Sequence, residues 1–195
     1  MTVIRVNPES IQAYARDAMN QFGRARDAMQ ALANDVVGVH YFGPNAVSFK
    51  TQCGTLAEDY AKKLISDLGQ IADAVRASTS NIAASLGGMQ INITFDGAPI
   101  SAPKPAPGDG SVDIDVDALM QLKPVVDRRF AEIVAALDAH LRTLEGTDWV
   151  GQAKETARGA VSSMTSKAKS NAVEAQQSIV RYIDEQITAA QTADK

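Results

Sequence analysis

The chain contains few cysteine, histidine and aromatic residues. Its 195 residues include one cysteine, Cys53, and two histidines, and aromatic residues make up 5% of the sequence. A single cysteine excludes an intramolecular disulfide and a cysteine-rich metal centre, so we interpret Cys53 as a small core residue. Scarce aromatics and abundant alanine favour helices over a β-sandwich.

Long apolar runs and clusters of basic residues are also missing. No apolar run approaches the roughly 20 residues that a helix needs to span a bilayer, and residues 1–10 lack the basic start and apolar core of a signal peptide. The net charge is −4 and no Lys/Arg cluster occurs, which argues against binding of nucleic acid. We therefore expect a chain that is made in the cytoplasm and has no nucleic-acid partner.

What the sequence contains is the apolar pattern of long, packed helices. Apolar residues recur at alternating steps of four and three over residues 11–36, and a second apolar stripe at helical spacing runs over residues 49–82. Asn7 and Pro8 suit the start of the first helix, and Gly43 marks a turn between the two. Two helices joined by a short turn form a hairpin.

The two halves of the chain align with each other without gaps, and we call this alignment the internal repeat. Adding 108 to a residue number takes Phe22 to Phe130 and Ile71 to Ile179, and the turn between the helices has a counterpart as well. Some positions differ in character, because Leu32 aligns with His140, which we interpret as a partly buried helix residue. The internal repeat therefore predicts a second hairpin with its own core contacts.

Pro124 falls where the internal repeat predicts the interior of a helix. Because proline lacks a backbone N–H and clashes with the preceding turn, the third helix is predicted to kink or to begin there.

These patterns predict an all-α protein in which two helix-turn-helix hairpins form a four-helix bundle. The first hairpin covers residues 1–88, the second covers residues 117–195, and residues 89–116 join them. Four prolines in residues 99–107 make this linker stiff and extended.

Three segments alternate polar and apolar residues, which is typical of strands. They are residues 2–6, 90–95 and 112–116. We predict up to three short strands, which could pair into a small sheet beside the bundle.

The turns of the two hairpins resemble those of the WXG-type, ESAT-like proteins. The second turn has Trp149 and Gly151 in a Trp-x-Gly motif, and the first has Tyr41, Phe42 and Gly43 at the same place. The resemblance covers both hairpins and leaves out the linker. It implies helical hairpins that pair into antiparallel four-helix dimers and that type VII secretion systems export. In such a turn, glycine permits the tight bend and the aromatic fills the end of the bundle.

The resemblance also implies a tail signal, in which a tyrosine is followed four residues later by Asp or Glu. Here Tyr182 is followed at that spacing by Gln186, while Asp184 and Glu185 stand too close. We interpret Tyr182, Asp184 and Glu185 as a degenerate tail signal. The implied partner is the type VII secretion ATPase, or a co-secreted WXG-type protein that carries the full signal.

The linker has the length that a single-chain version of the family's dimer requires. Antiparallel hairpins place the open end of one beside the turn of the other, so the linker must travel about 50 Å. Roughly 28 extended residues could span about 90 Å. The same linker permits either a monomer or a domain-swapped homodimer.

Signatures of catalysis and metal binding are missing from the sequence. His40 and His140 are the only histidines, no His-x-x-x-His pair occurs, and neither a nucleophile elbow nor a phosphate loop is present. The carboxylates of Asp113, Asp115 and Asp117 could suggest calcium, but the Gly and Glu positions of a calcium loop are absent. We predict no catalysis, no cofactor and no metal.

The sequence therefore predicts a non-enzymatic, secreted or cell-surface helical-bundle protein of a type VII system that acts through protein–protein contacts. Two alternatives stay open. One is a cytoplasmic scaffold or adaptor that is never exported, and the other is a secreted effector whose amphipathic helices contact membranes.

Overall fold

The chain folds into four long helices that pack against each other, which confirms the predicted all-α four-helix bundle with short strands. The computed structural model describes residues 3–86, 93 and 97–195. The helices are α1 (Pro8–Gly38), α2 (Pro44–Leu86), α3 (Val116–Glu145) and α4 (Gln152–Ala193). The strands are β1 (Arg5–Val6), β2 (Tyr41–Phe42), β3 (Asp113–Ile114) and β4 (Trp149–Val150). Within the described residues, no helix is both long enough and apolar enough to cross a membrane.

The first helix of each hairpin begins at a side-chain cap. The Asn7 side-chain oxygen accepts a hydrogen bond from the Glu9 backbone N–H (3.0 Å), and Asp115 accepts one from the Ala118 N–H (2.9 Å). Both caps satisfy N–H groups that have no partner inside the helix. Since Asn7 aligns with Asp115 in the internal repeat, the two helices begin at equivalent positions.

Two compact units make up the chain, and each takes segments from both hairpins. The first unit comprises Met1–Ala25, Lys63–Ala98 and Val134–Ser170. Its core is lined by large side chains that are almost fully buried: Ile11, Tyr14, Phe22, Ile71, Leu137, Trp149 and Val161.

The second unit comprises Arg26–Lys62, Pro99–Ile133 and Asn171–Lys195. Its core contains Met29, Leu32, Phe49, Cys53, Leu119, Phe130, Ile179 and Ile183. Burial raises the pKa of the Cys53 thiol to about 12, so it stays protonated and serves as a packing group.

The strands pair differently from the sheet suggested by the sequence. β1 pairs antiparallel with β4, and β2 pairs antiparallel with β3, as two separate two-stranded sheets. Each segment that precedes a hairpin therefore pairs with a hairpin turn and not with another such segment. The turn residues can pair with these segments because their backbone N–H and C=O groups would otherwise form an unpaired strand edge. The strand predicted over residues 90–95 lies, apart from Ile93, outside the described residues.

Pro124 lies within α3, so the prediction that the helix begins there is wrong. The Asp115 cap starts the helix two turns before Pro124. An interior proline costs about 3 kcal/mol. The neighbouring turns of α3 offset this because they bury Leu119, Leu122 and Val126 in the core.

The Pro-rich linker contacts the first hairpin. The Gln30 side chain donates to the Ser101 carbonyl (2.8 Å) and accepts from the Ser101 N–H (3.1 Å). The Glu58 carboxylate accepts from the Ala102 N–H (2.7 Å), and the side chain of Ile100 is buried. These contacts guide the linker towards the first turn, where β3 follows it.

Candidate functional site: the two hairpin turns

The second hairpin turn, residues 149–151, is covered by the strand that precedes the first helix. Val6 lies opposite Trp149 in the β1–β4 pair, and the Asn7 N–H donates to the Asp148 carbonyl (3.0 Å). The guanidinium of Arg5 lies 2.7 Å from the Asp148 carboxylate. We call residues 149–151 turn 2.

Trp149 is a buried packing group of turn 2. Its side chain is 1% exposed, and its indole N–H has no hydrogen-bond partner among the described residues. Gly151 follows with a φ of 131°, a conformation that residues with a Cβ rarely adopt. The Trp-x-Gly motif thus packs an aromatic ring into the core and turns the chain sharply into α4.

The first hairpin turn, residues 41–43 or turn 1, is covered in the same way by β3. Tyr41 lies opposite Ile114, and the Asp115 N–H donates to the His40 carbonyl (3.0 Å). The Nε2 atom of His40 lies 3.0 Å from the Asp113 carboxylate. Gly43 has a φ of 119°.

The two turns therefore share three contacts under the internal repeat: the strand pairing, one backbone hydrogen bond and one side-chain pair. Arg5 and Asp113 are equivalent strand positions, and His40 and Asp148 are equivalent positions before the turns. The acidic partner lies on the strand at turn 1 and before the turn at turn 2. Sequence analysis did not identify the Arg5–Asp148 and His40–Asp113 contacts, although the internal repeat aligns the residues that form them.

The middle residue of each turn points outwards. Phe42 is 41% exposed and Val150 is 38% exposed, whereas the aromatic residue before each of them is buried. Beside them, Val112 at turn 1 and Ile4 at turn 2 are also exposed and occupy equivalent positions. Each turn thus presents two exposed apolar side chains at equivalent positions.

The three residues that we interpret from the sequence as a degenerate tail signal lie within α4. Tyr182 is partly buried, while Asp184 and Glu185 are exposed. The Asp184 carboxylate is engaged by the Lys123 ammonium at 2.6 Å. All three residues belong to the second unit, which also contains turn 1.

Turn 1 contacts α4, the helix that contains these three residues. The Tyr41 hydroxyl donates to the side-chain oxygen of Gln186 at 2.8 Å. Gln186 occupies the position four residues after Tyr182, where the family signal has an acid. The structure therefore brings Tyr41 to Gln186, a contact that sequence analysis missed because the two residues are 145 positions apart.

His140 is more deeply buried than its predicted partial burial. It is 0% exposed, the Tyr14 hydroxyl lies 2.8 Å from its Nε2, and the Phe22 ring packs at a centroid distance of 4.7 Å. Burial lowers the pKa of His140 to about 4, although the nearby Asp17 carboxylate opposes the shift. His140 is therefore neutral at pH 7 and belongs to the core.

Acidic and histidine side chains near the turns are already engaged in the fold. Asp113 pairs with His40, and Asp115 caps α3. Within residues 3–86, 93 and 97–195, no group of three His, Cys, Asp or Glu side chains is arranged to hold a metal ion.

Comparisons of the chain with protein-family models, with curated proteins and with solved structures gave no match. The geometry of the two turns therefore carries the functional proposal.

Proposed function

We propose that this chain is a tandem WXG-type protein of a type VII secretion system, a single-chain counterpart of the family's hairpin dimer that acts by protein–protein contact. The observation that carries the proposal is the reciprocal cover of the turns. The strand before each hairpin pairs with the turn of the other hairpin. We propose no catalytic step and no cofactor for this activity.

The buried Trp149 supports the idea that the turn motif works with a second hairpin. β1 and the start of α1 supply its cover, through the β-pair and the hydrogen bond between the Ser10 side chain and the Asp148 N–H. An aromatic residue at the end of an isolated hairpin would expose a large apolar area, which is unfavourable in water. The same chain thus supplies the hairpin that covers Trp149, so no second copy is needed and a monomer is favoured.

The exposed apolar side chains at the turns are the proposed contact surface. Phe42 and Val112 lie at turn 1, and Ile4 and Val150 lie at turn 2. The tail signal is a weaker candidate for contact because Lys123 already engages Asp184. We therefore favour a co-secreted WXG-type partner, carrying a full tail signal, as the molecule that the secretion ATPase recognises.

The proposal is tested by an immunoblot of culture filtrate from the encoding bacterium, with and without its type VII ATPase. We expect the protein in the filtrate only when the ATPase is present, with a cytoplasmic marker absent from the filtrate. Retention inside the cell in both strains would contradict export, and the scaffold alternative would take its place.

A matched pair of substitutions tests whether turn 2 is the contact surface. Val150 and Val173 are both exposed valines, at 38% and 46%, but only Val150 lies at a turn. We expect Val150→Asp to reduce export several-fold and Val173→Asp to leave it unchanged, with equal amounts of both proteins in the cell. Equal export of the two variants would exclude turn 2 from recognition.

A further inference from the structure

A cavity of about 240 Å³ lies beside turn 1, between the first turn of α2 and the linker. Its lining includes the apolar side chains of Val37, Val47 and Pro105 and the two lysines Lys50 and Lys104. The volume is smaller than the roughly 300–1,000 Å³ of pockets that enclose drug-sized ligands. The cavity can therefore hold only a small group.

Lys50 is a buried cation that has no anionic partner among the described residues. It is 4% exposed, and its Nζ donates to the Val39 carbonyl at 2.9 Å and lies 5.0 Å from the centroid of the Phe42 ring. Neither of these contacts is with a carboxylate. A buried charge without a counter-ion is strongly unfavourable, and burial lowers the pKa of Lys50.

The cation that aligns with Lys50 at turn 2 is exposed and has two carboxylate partners. Arg158, which aligns with Lys50 in the internal repeat, lies 3.1 Å from the Glu155 carboxylate and 3.9 Å from the Glu145 carboxylate. The positions that align with these two acids are Val47 and Val37.

Both of those valines line the cavity beside turn 1. At turn 1, therefore, apolar side chains stand where turn 2 has two exposed carboxylates, and the aligned cation is buried beneath the linker. The result is a partly open, mainly apolar cavity with a positive charge at its wall that has no carboxylate partner among the described residues. The positive end of the α2 helix dipole, at Gly43 and Ala46, adds to that charge.

We propose that this cavity binds a carboxylate group carried on a short apolar chain, with Lys50 as its counter-ion. The carboxylate takes the place that Glu155 and Glu145 occupy beside Arg158, and Lys104 supplies a second positive charge. The apolar part of the ligand packs against Val37, Val47 and Pro105. Such a group occurs in a free short-chain carboxylic acid and at the C-terminus of a polypeptide that ends in a small apolar residue.

The test uses the purified full-length protein and does not depend on export. Isothermal titration calorimetry with butyrate is compared with its neutral counterpart butyramide, and N-acetyl-Ala-Val with a free carboxylate is compared with the corresponding amide. We expect saturable binding of at least one carboxylate and none of either amide. Butyrate alone would indicate a free acid as ligand, and the peptide alone would indicate a polypeptide terminus.

Three variants place the binding at Lys50. Lys50→Met keeps the length of the side chain and removes the charge, so affinity should fall about tenfold or more, as for loss of a hydrogen bond to a charged group. Val47→Glu installs the carboxylate that turn 2 has at the equivalent position, so it should occupy Lys50 and abolish binding. Arg158→Met, the matched change at turn 2, should leave binding unchanged.

The circular dichroism spectrum and the urea midpoint of each variant separate loss of binding from loss of folding. Val47→Glu is the decisive variant, because its carboxylate pairs with Lys50 three residues on and keeps the fold. Binding of the amides as tightly as the carboxylates, or unchanged binding in folded Val47→Glu, would overturn the proposal. Absence of binding by every probe would overturn it as well.

Discussion

The guanidinium of Arg5 lies 2.7 Å from the carboxylate of Asp148, and turn 1 has the equivalent contact with the acid on the other partner. There the strand carries the acid, Asp113, and the residue before the turn is His40. The exchange matters for which strand pairs with which turn. β1 on turn 1 would place Arg5 beside His40, and β3 on turn 2 would place Asp113 beside Asp148. Both wrong pairings juxtapose groups that repel or fail to attract, which favours the reciprocal pairing.

Reversing one charge of the Arg5–Asp148 pair should lower the stability of the protein, and reversing both charges should restore that stability. Arg5→Asp faces Asp148 with a like charge, and we expect a loss of roughly 0.5–1 kcal/mol, small because both groups are largely exposed. Arg5→Asp combined with Asp148→Arg should recover most of that loss. Urea unfolding of the wild type, the two single variants and the double variant measures the coupling. Additive effects of the two changes would show that the pair contributes nothing to pairing.

The stability of the protein should fall steeply in mild acid because of His140. Its pKa is lowered to about 4 in the folded state, whereas an unperturbed histidine titrates near 6.5. The unfolded chain therefore takes up the proton first as the pH falls. The contribution is fully present above about pH 6.5 and is lost as the pH falls towards 4, by about 3 kcal/mol.

A double variant separates His140 from the carboxylates that also titrate in acid. His140→Leu places at this position the residue that the internal repeat has at Leu32, and Tyr14→Phe removes the hydroxyl that would lose its partner. Urea midpoints at pH 7 and pH 5 should differ much less for this variant than for the wild type. The same pH dependence in both proteins would assign the acid sensitivity to other groups.

The helices and turns could be predicted from the sequence because their signals are local. Apolar steps of three and four define a helix face, and the Asn7 cap and Gly43 lie within a few residues of the boundaries that they set. The pairing of β1 with turn 2 and of β3 with turn 1 could not be predicted from local signals. Val6 pairs with Trp149, which is far from it in the sequence. The alternation in residues 2–6 predicts a strand but does not identify the segment with which that strand pairs.

The internal repeat contains a signal for the turns as well as for the helices. It aligns Arg5 with Asp113 and His40 with Asp148, so the acidic residue is on the strand at one turn and before the turn at the other. The burial of His140 escaped prediction for a different reason. Its hydrogen-bond partner Tyr14 lies 126 positions away, and only the folded chain brings the two together.

Alanine at either turn glycine should destabilise the protein, and the effect should be larger at turn 1. Gly43 and Gly151 have φ values of 119° and 131°, which residues with a Cβ rarely adopt, so each substitution strains the backbone by roughly 1–3 kcal/mol. At Gly43 the new Cβ also lies 3.1 Å from the Ser111 carbonyl oxygen, whereas at Gly151 its nearest neighbour is at 3.7 Å. The free energy of unfolding in urea measures both.

A helical glycine provides the control for these two variants. Gly69 lies in α2, and a Cβ added there meets no atom within 4 Å. Gly69→Ala should therefore stabilise the protein by roughly 0.5–1 kcal/mol, because alanine loses less backbone entropy in a helix. A loss of stability in Gly69→Ala, or none in Gly43→Ala, would contradict the role assigned to the turn conformation.

Gln186→Glu should make export less dependent on a partner, if the proposed secretion route is correct. The change completes the spacing of Tyr182 and an acid four residues later, and the Tyr41 hydroxyl, 2.8 Å from Gln186, can donate to a carboxylate as well as to an amide. Burial raises the pKa of Tyr41, which keeps that hydroxyl protonated. The fold should therefore tolerate the substitution, with an unchanged or slightly higher urea midpoint.

The measurement is secretion from cells that carry only the core secretion apparatus, without co-secreted WXG-type proteins. Gln177→Glu is the matched control, because it places the same charge on an exposed position of α4 outside the tyrosine spacing. We expect Gln186→Glu to raise the secreted fraction several-fold and Gln177→Glu to leave it at the wild-type level. Equal secretion of both variants would mean that this segment of α4 is not read by the ATPase, and recognition would then rest with the turns or with the partner.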